Sequence, residues 1–197
     1  MTHSSTVLIV EDEKNLADLF GIWLQEQFEV HVAYSGEDAL EIFAEESIDI
    51  VLLDRRMPGL SGTEVLQSIR ESGDAQQVIM LTAVQPTEDL ASIDVDDYLL
   101  KPIDRTKLLR AVEAAELVLT YEDSLTELLS LTARKATLEA NLDKTELEKD
   151  ERYGDLLQRI RELEEEADTT LQRLETDYQI DMLVRDQRIG SQPVEQF

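Results

Sequence analysis

The sequence predicts an α/β fold, a five-stranded, doubly wound parallel sheet, followed by an α-helical hairpin or coiled-coil domain. Up to about residue 103, short apolar runs with a strand-like pattern alternate with segments of helical period. Strands that are apolar on both faces are typical of a parallel sheet covered by helices on both sides. From about residue 104 onward only the helical pattern continues, which indicates a second, purely helical domain.

Each strand is predicted from a short apolar run rich in Val, Ile and Leu, the composition of a buried strand. The five runs lie at residues 6–10, 30–34, 50–53, 78–81 and 98–100. The third run is followed at once by Asp54 and then by a loop that contains Pro58 and Gly59. A carboxylate in that position is either a turn residue or a functional group, and the other motifs distinguish these possibilities.

Between the strands, apolar residues recur every three or four positions, which is the period of an amphipathic helix. Helices are predicted at residues 13–27, 36–46, 62–72 and, in a short form, 87–93. The first helix places on one face Leu16, Leu19, Phe20, Trp23 and Leu24. A further helix begins after Asp104, and no Pro or Gly interrupts it before Gly154, so we expect it to continue into the second domain.

The second domain is predicted from two narrow apolar stripes with steps of three, four or seven residues. One stripe contains Leu125, Leu128, Leu131, Leu138 and Leu142, and the other contains Leu156, Ile160, Leu163, Ala167, Leu171, Leu174 and Tyr178. Because the two stripes are joined near Gly154, we expect an αα-hairpin or a coiled coil, formed within one chain or between chains. The predicted domains are residues 1–118 and 119–184, with a flexible tail at 185–197.

The chain is strongly acidic, with 44 Asp and Glu against 18 Lys and Arg and a net charge of −26. Such a surface repels phosphate backbones and anionic membranes at long range. The low Lys content favours a halophilic protein in a cytosol of high salt, and an ordinary acidic cytosolic protein is the alternative. No Cys is present, and no apolar run approaches the roughly 20 residues that span a bilayer, so we expect a cytoplasmic protein without membrane contact.

Polar residues follow four of the predicted strands at their carboxyl ends. Glu11 and Asp12 follow the first strand, Asp54 the third, Thr82 the fourth and Lys101 the fifth. Parallel strands bring these ends to one edge of the sheet, where ligands of such folds bind. Three carboxylates repel one another there unless a cation neutralises them, and a set of oxygen ligands favours Mg²⁺. Asp54 is therefore interpreted as a carboxylate nucleophile that accepts a phosphoryl group, with Lys101 and the Thr82 hydroxyl beside it.

Each of these residues also has a simpler explanation. Glu11 and Asp12 could be acidic residues at a helix N-terminus, where they favour the helix dipole. Asp54 could close a turn, and Lys101 could be a solvated charge. These explanations do not account for the occurrence of all the groups together at the ends of the strands.

Four motifs in this order resemble the receiver domain of two-component response regulators, namely LIVEDE, LLDRRMPGLSG, MLTA and DDYLLKP. The resemblance covers residues 5 to about 118 and implies a flavodoxin-like fold that a sensor histidine kinase phosphorylates. It implies these roles: Asp54 as phosphoacceptor; Glu11, Asp12, Asp54 and the backbone carbonyl of Arg56 as Mg²⁺ ligands; Thr82 and Lys101 as phosphoryl-binding groups; Thr82 and Tyr98 as switch residues; Asp54 and Lys101 as catalytic residues. Apart from its own phosphorylation and dephosphorylation, no enzymatic activity is expected.

The chain departs from the usual receiver pattern in several places, among them Val84, two residues after Thr82, and Ile103, which replaces the aromatic residue often found after Lys-Pro. Arg55 and Arg56 follow the phosphoacceptor, a position whose occupants in this family tune the lifetime of the phosphoryl group. The segment from Thr82 to Lys101 is short, and Asp94-Val95-Asp96 stands where Gly-Ala-Asp is typical. We therefore expect an abbreviated fourth helix.

Residues from about 121 to 183 resemble the HalX domain found behind receivers in haloarchaeal regulators, through the runs LLSLTARKATLEA and EKDERYGDLLQRIRELEEE. We expect a response regulator that passes a conformational signal to these helices. Its expected partners are the histidine kinase and, through the C-terminal helices, a second copy or a partner helix. A transcriptional regulator that binds promoter DNA is the alternative, although no basic recognition helix is present. A scaffold with an unused cluster conflicts with the intact site, and a phosphatase conflicts with Arg56 two residues after the nucleophile.

Overall fold

A computed structural model describes residues 5–72, 76–83, 94–147 and 149–189. Five strands, Thr6–Val10 (β1), Glu29–Ala33 (β2), Ile50–Asp54 (β3), Gln77–Thr82 (β4) and Asp97–Leu100 (β5), form one sheet. All neighbouring strands are parallel, and their order is β2-β1-β3-β4-β5. The three central strands are buried along their whole length, whereas the edge strands are partly exposed. The predicted fold class is confirmed.

Helices cover both faces of the sheet. Lys14–Leu24 (α1) and the beginning of Arg105–Asn141 (α4) pack on one face, where Phe20 and Leu108 join the apolar residues of β1, β3 and β4. Gly36–Glu45 (α2) and Gly62–Ser72 (α3) pack on the other face, with Ala39 and Ile69 in the second core. Because alternate residues of the central strands face opposite sides, both cores draw on the same strands. The predicted helix at 87–93 lies outside the described residues.

Short polar residues mark where helices begin. The Ser35 hydroxyl accepts a hydrogen bond from the Asp38 backbone N–H at 3.1 Å and caps α2. Before α3, the Ser61 N–H donates to the Glu64 carboxylate at 2.9 Å, and the Glu64 N–H donates to the Ser61 hydroxyl at 3.4 Å. This reciprocal capping box anchors the loop that follows Asp54 at the start of α3.

Arg70, in the last turn of α3, joins that helix to the beginnings of β4 and β5. Its guanidinium donates to the Asp96 carboxylate at 2.6 Å and to the carbonyl of Gln76 at 2.8 Å. The same Asp96 oxygen accepts the Val78 backbone N–H at 2.6 Å. Asp96, within the atypical Asp-Val-Asp segment, therefore anchors the entry to β5.

By compactness the chain divides into residues 1–119 and residues 120–197. In the second unit, α4 and Glu151–Ile189 (α6) pair side by side, with the short helix Lys144–Leu147 (α5) between them. Arg159 of α6 bonds to Glu127 of α4, and Tyr153 bonds to Glu139, so the two helices run antiparallel. The predicted division after residue 118 stays a prediction. α6 continues through residues 185–189, the start of the predicted tail.

The junction that the sequence predicts near Gly154 lies just before this residue, which is in the first turn of α6. The connection runs from Asn141 at the end of α4 to Glu151 at the start of α6, and two aspartates set it. The Asp143 carboxylate accepts the Thr145 backbone N–H at 3.1 Å, and Asp150 accepts the Arg152 N–H at 2.9 Å. These side chains cap α5 and α6, and capping determines where a helix begins more strongly than one Gly in its first turn.

The apolar stripe of α6 is also shifted at one position. Leu156, Ile160, Leu163, Ala167 and Leu174 are buried as predicted, but Leu171 is 40% exposed and Thr170 is buried in its place. The Thr170 hydroxyl donates to the Glu166 carbonyl of the preceding turn at 2.9 Å, so the buried hydroxyl has a hydrogen-bond partner. It lies in the mainly apolar interface between α4 and α6, which we call the seam. In the described part of the chain, no helix combines the length and apolar character that a membrane crossing needs.

Candidate functional site

Three carboxylates meet at the carboxyl edge of the sheet. Glu11 and Asp12 directly follow β1, and Asp54 is the last residue of β3, which lies beside β1. One carboxylate oxygen from each residue lies within 4.8 Å of the others. Glu11 is 1% exposed and Asp54 8% exposed, whereas Asp12 is the most accessible of the three. The convergence follows from the parallel pairing of β1 with β3.

Lys101 lies between the two buried carboxylates. Its Nζ atom is 2.6 Å from an oxygen of Glu11 and 2.8 Å from Oδ2 of Asp54. Lys101 follows β5, and its backbone N–H donates to the carbonyl of Thr82 at 2.8 Å, which continues the sheet by one residue. A single ammonium thus bridges β1 and β3 from the far edge strand.

Burial and mutual repulsion determine the protonation of the cluster. Loss of hydration raises the pKa of Glu11 to about 7; the hydrogen bond from Lys101 opposes this rise, and the charge of Asp54 adds to it. Burial alone would lower the pKa of Lys101, but its hydrogen bonds to Asp54 and Glu11 raise that pKa above its ordinary value. The site therefore holds a permanent cation and one carboxyl group that titrates near neutral pH.

The loop after Asp54 is held against the end of β3 by backbone contacts. The Arg56 N–H donates to Oδ1 of Asp54 at 3.1 Å, which leaves Oδ2 to Lys101. The Gly62 N–H donates to the carbonyl of Arg55 at 3.2 Å. A Cβ at Gly62 would collide with the carbonyl oxygen of Asp54, so α3 begins directly against the backbone of the carboxylate residue.

Thr82 and Tyr98 lie on the strands beyond Asp54. Thr82 is buried at the end of β4, one residue after Leu81, which is the register partner of Asp54. Tyr98 pairs with Met80 in β5 and packs partly buried against the second core. Burial raises the pKa of the Tyr98 hydroxyl, and the charge of Arg55 opposes this rise.

Four of the predicted site residues, Glu11, Asp12, Asp54 and Lys101, are thus brought into one cluster. The Arg56 backbone and Thr82 lie at the same edge of the sheet, and Tyr98 lies two residues before its end. The sequence favours a role for Gly62 in shaping the loop after Asp54, and the structure adds its close approach to the Asp54 backbone. A Gly directly after a loop and at a helix start is the only signal of it in the sequence.

The chemistry of the cluster fits a divalent metal ion. Its ligand atoms are oxygens only, as hard cations prefer, and their mutual separation allows one ion to contact all three residues. Asp54 is the more exposed of the two buried carboxylates and is therefore the one better placed to react with an incoming electrophile.

Comparisons with known proteins agree with this arrangement. A family model described as "Response regulator receiver domain" matches residues 7–113, and a model described as "HalX domain" matches residues 117–185. A Haloferax volcanii protein named "Putative transcriptional regulator" is 37% identical over 180 residues, which cover 91% of this chain and 30% of that protein. The chain thus spans about a third of that relative's length.

Solved structures agree in fold. The response regulator protein TrrA from Thermotoga maritima, solved in complex with Mg²⁺ and BeF, is 37% identical, with a TM-score of 0.51 over 55% of this chain and 96% of that one. A receiver domain protein from Clostridium thermocellum is 32% identical, with a TM-score of 0.52 over 56% and 93% of the two chains. The chemotaxis protein CheY4 from Vibrio cholerae, at 24% identity and a TM-score of 0.54 over 57% and 98%, shares the fold.

Proposed function

The chain belongs to the response regulator receiver family, with a HalX domain behind the receiver, and we propose that it is a phospho-acceptor switch of a two-component pathway. A sensor histidine kinase is the proposed phosphoryl donor, Asp54 the acceptor and the C-terminal helices the output. The observation that carries the proposal is the convergence of Glu11, Asp54 and Lys101 within hydrogen-bonding distance at one edge of the sheet.

In the proposed reaction, an oxygen of Asp54 attacks the phosphorus of the donor. The bond from phosphorus to the kinase histidine breaks, its electron pair stays on the ring nitrogen, and an acyl phosphate forms on Asp54. The Lys101 ammonium, which now contacts Asp54 and Glu11, pairs with the phosphoryl oxygens, and the Thr82 hydroxyl donates to them. The chain catalyses this transfer and its own dephosphorylation and has no separate substrate.

Mg²⁺ is the proposed cofactor, held by Glu11, Asp12, Asp54 and the backbone carbonyl of Arg56. When bound, it supplies positive charge that neutralises the carboxylates and the arriving phosphoryl group. The oxygen-only ligands and the Mg²⁺ in the Thermotoga maritima relative support this assignment. Glu11 must lose its proton to act as a ligand.

The direct test is incubation of the full chain with acetyl phosphate in high salt, followed by intact-mass measurement. We expect the mass of one phosphoryl group to be gained when Mg²⁺ is present and not when EDTA replaces it. Beryllofluoride, which mimics the phosphoryl group, is expected to change the NMR signals of Thr82 and Lys101 under the same condition. A chain that gains no mass with acetyl phosphate and Mg²⁺ would contradict the proposal.

Mg²⁺ affinity is expected to rise with pH, because the proton on Glu11 competes with the metal. Below a pKa of about 7 the apparent affinity should fall by roughly tenfold for each pH unit. Calorimetric titration at about pH 6 and about pH 8 measures this change. Glu11→Gln should weaken binding and remove the pH dependence, whereas Glu13→Gln, which removes the same charge just outside the cluster, should retain it. An affinity that is constant over this range would contradict the raised pKa of Glu11.

Without Mg²⁺, the stability of the fold is expected to fall as the pH rises, whereas the affinity for Mg²⁺ is expected to rise. The folded chain holds a proton on Glu11 up to about pH 7, whereas in the unfolded chain this carboxyl has its ordinary pKa of 4.5. The contribution of Glu11 to the free energy of unfolding is therefore complete below about pH 4.5 and lost as the pH rises through about 7. Saturating Mg²⁺ should reverse this loss.

The proposed signal passes from Thr82 and Tyr98 to the C-terminal helices. Phosphorylation adds roughly one or two negative charges beside these residues, and the two side chains respond by moving toward the site. α4 supports a connection to the output, because it runs without a break from Arg105 to Asn141 and so belongs to both units. A continuous helix transmits a displacement without an intervening hinge.

Transcriptional regulation through DNA binding is the second candidate, favoured by the name of the Haloferax volcanii relative. The charge of −26 opposes it, and the HalX domain places its basic residues among acidic ones. Gel shifts in about molar KCl with DNA upstream of the coding region, with and without beryllofluoride, distinguish the two. A shift that requires beryllofluoride would favour the regulator, and the absence of any shift would favour output by protein contact.

A further inference from the structure

The seam between α4 and α6 follows a heptad pattern in which every core position can be assigned. In α6 the buried residues are Leu156, Ile160, Leu163, Ala167, Thr170 and Leu174, which alternate in steps of four and three. In α4 the buried or half-buried residues Tyr121, Ser124, Leu128, Leu131, Lys135 and Leu138 show the same alternation. These are the a and d positions of an antiparallel two-helix coil.

The two flanks of this seam differ in chemistry. One flank is charged, since Arg159 bonds to Glu127 across the seam at 2.8 Å and also contacts Glu162 and Glu166 along its own helix. On the opposite flank, Glu139 and Leu157 line a common cavity of about 410 Å³ at the connection between the helices. On the charged flank, Arg159 is therefore paired with carboxylates of its own chain.

The opposite flank is uncharged along residues 125–136 of α4, where it presents Leu125, Leu129, Thr132 and Ala136. On α6 it presents Leu157 and Leu171, with the charged residues Arg161, Glu164 and Asp168 between them, and we call the six uncharged residues the apolar flank. Across residues 125–136 of α4 this flank carries no charge, although 31% of the residues in the chain are charged. Leu129 is 72% exposed and Leu171 is 40% exposed. Two helices that pair alone need only the a and d positions, whereas an added third apolar position is the pattern of a larger bundle.

We propose that a second copy of this chain covers the apolar flank, so that two hairpins form a four-helix bundle with two-fold symmetry. In such a bundle α6 runs antiparallel to α6 of the second copy, and each contact between two different residues occurs twice. A self-complementary surface must then place residues that attract each other at equal distances on either side of the symmetry axis.

One pair of α6 residues meets this requirement around Glu164, and a second pair meets it to within one residue. Leu157 and Leu171 lie seven residues before and after Glu164, whereas Arg161 lies three before it and Asp168 four after it, a difference of about 1.5 Å along the helix that the long Arg side chain can span. With the axis at Glu164, Leu157 of one copy meets Leu171 of the other, and Arg161 meets Asp168. Among the described residues, no carboxylate lies within ion-pair distance of Arg161, which donates only to the Leu157 carbonyl. An ion pair between copies would give Arg161 and Asp168 partners that the described residues of a single chain do not provide.

Leu129 fits the same arrangement. The bond between Glu127 and Arg159 places Leu129 level with Leu157 along the hairpin. It would therefore complete an apolar cluster with Leu157 and with Leu171 of the second copy, and the symmetry axis repeats this cluster. The most exposed leucine of the flank is thus buried in the dimer.

Charge also predicts how the dimer responds to salt. Two chains of −26 repel each other, and the axis brings Glu164 beside its own symmetry mate. Screening should therefore strengthen association, so that the dimer forms in molar KCl and weakens at low salt. Glu164→Gln should strengthen it at every salt concentration. A surface made for a basic partner would show the opposite salt dependence.

Sedimentation equilibrium of the full chain in about 2 M KCl tests the proposal. We expect twice the monomer mass of 22.4 kDa. Leu129→Glu should raise the dissociation constant at least roughly tenfold. Ile22→Glu is the matched control, because Ile22 is a 58% exposed residue of α1 and its replacement should leave the constant unchanged. Since both side chains are exposed in the single chain, neither change should prevent folding, which circular dichroism verifies.

Charge exchange tests the register of the two copies. Arg161→Asp and Asp168→Arg should each weaken the dimer, and the double variant should restore it, because the two residues face each other only across the symmetry axis. A monomer at all salt concentrations would overturn the proposal and assign the flank to a different partner. A dimer that is unaffected by Leu129→Glu and by the charge exchange would overturn it as well, because association would then use another surface.

Discussion

Asp54→Asn is expected to abolish phosphoryl transfer to the chain while the fold is retained. The amide has the size of the carboxylate but lacks an anionic oxygen that can attack phosphorus. We expect labelling by acetyl phosphate or by a histidine kinase to fall by at least about 10³-fold, since loss of a nucleophile is not compensated by binding groups. Intact-mass measurement after incubation with acetyl phosphate and Mg²⁺ reports this loss.

The stability of the variant is expected to change little. Lys101 keeps its 2.6 Å contact with Glu11, and the repulsion between Glu11 and Asp54 is removed. We therefore expect the free energy of unfolding to stay within about 1–2 kcal/mol of that of the unmodified chain. Asp18→Asn, which alters a carboxylate bonded to Tyr34 outside the cluster, should leave labelling intact. Retention of the label by Asp54→Asn would place the acceptor elsewhere and contradict the proposed function.

Gly62→Ala is expected to have the largest effect on stability among single methyl additions to the receiver. The new Cβ would collide with the carbonyl oxygen of Asp54 and would lie 3.0 Å from the Cα of Arg55. Both are backbone atoms at the end of a buried strand, so neither can move away by rotating a side chain. We expect a loss of about 3 kcal/mol in the free energy of unfolding, measured by denaturant titration in high salt.

The same substitution should also slow phosphorylation, because relief of the collision displaces the backbone of Asp54, whose carboxylate lies 2.8 Å from Lys101 Nζ. Gly154→Ala is the matched control, since a Cβ at Gly154 meets nothing within 4 Å and this residue lies in the first turn of α6. It should stabilise the chain by about 0.5–1 kcal/mol, because Ala favours helix over Gly. Equal effects of the two substitutions would show that helix propensity, and not the contact with Asp54, governs Gly62.

Much of the receiver could be predicted from residue patterns. Residues 50–53 are apolar at every position, and such a run is stable only when both faces of its strand are covered, which implies helices on both sides. The positions of Glu11, Asp54 and Lys101 at strand ends then imply their convergence, because parallel strands have all their carboxyl ends at one edge. The observed sheet order and the 2.6 Å and 2.8 Å contacts of Lys101 agree with that expectation.

The second unit was harder to predict in detail. A Gly between two apolar stripes locates their junction only approximately, because the capping side chains of Asp143 and Asp150 determine where the helices begin. At residues 170 and 171 the pattern favoured burial of Leu over Thr, and the structure buries Thr170. A hydroxyl that bonds to the carbonyl of the preceding turn costs little to bury, so the register of the seam outweighed hydrophobicity at this position.

The sequence alone determined the period and polarity of each segment, and with them the α/β class, the order of the strands along the chain and the set of acidic groups at their ends. Only the tertiary structure decided which atoms touch. It determined the ion pairs from Lys101 to Glu11 and Asp54 and the ion pair between Arg70 and Asp96. It also determined the close approach of Gly62 to the backbone of Asp54. Periodicity is a local property of the chain, whereas these contacts join residues that are far apart in sequence. Their distances depend on how strands and helices pack, and packing reflects the shapes of all side chains in the core together.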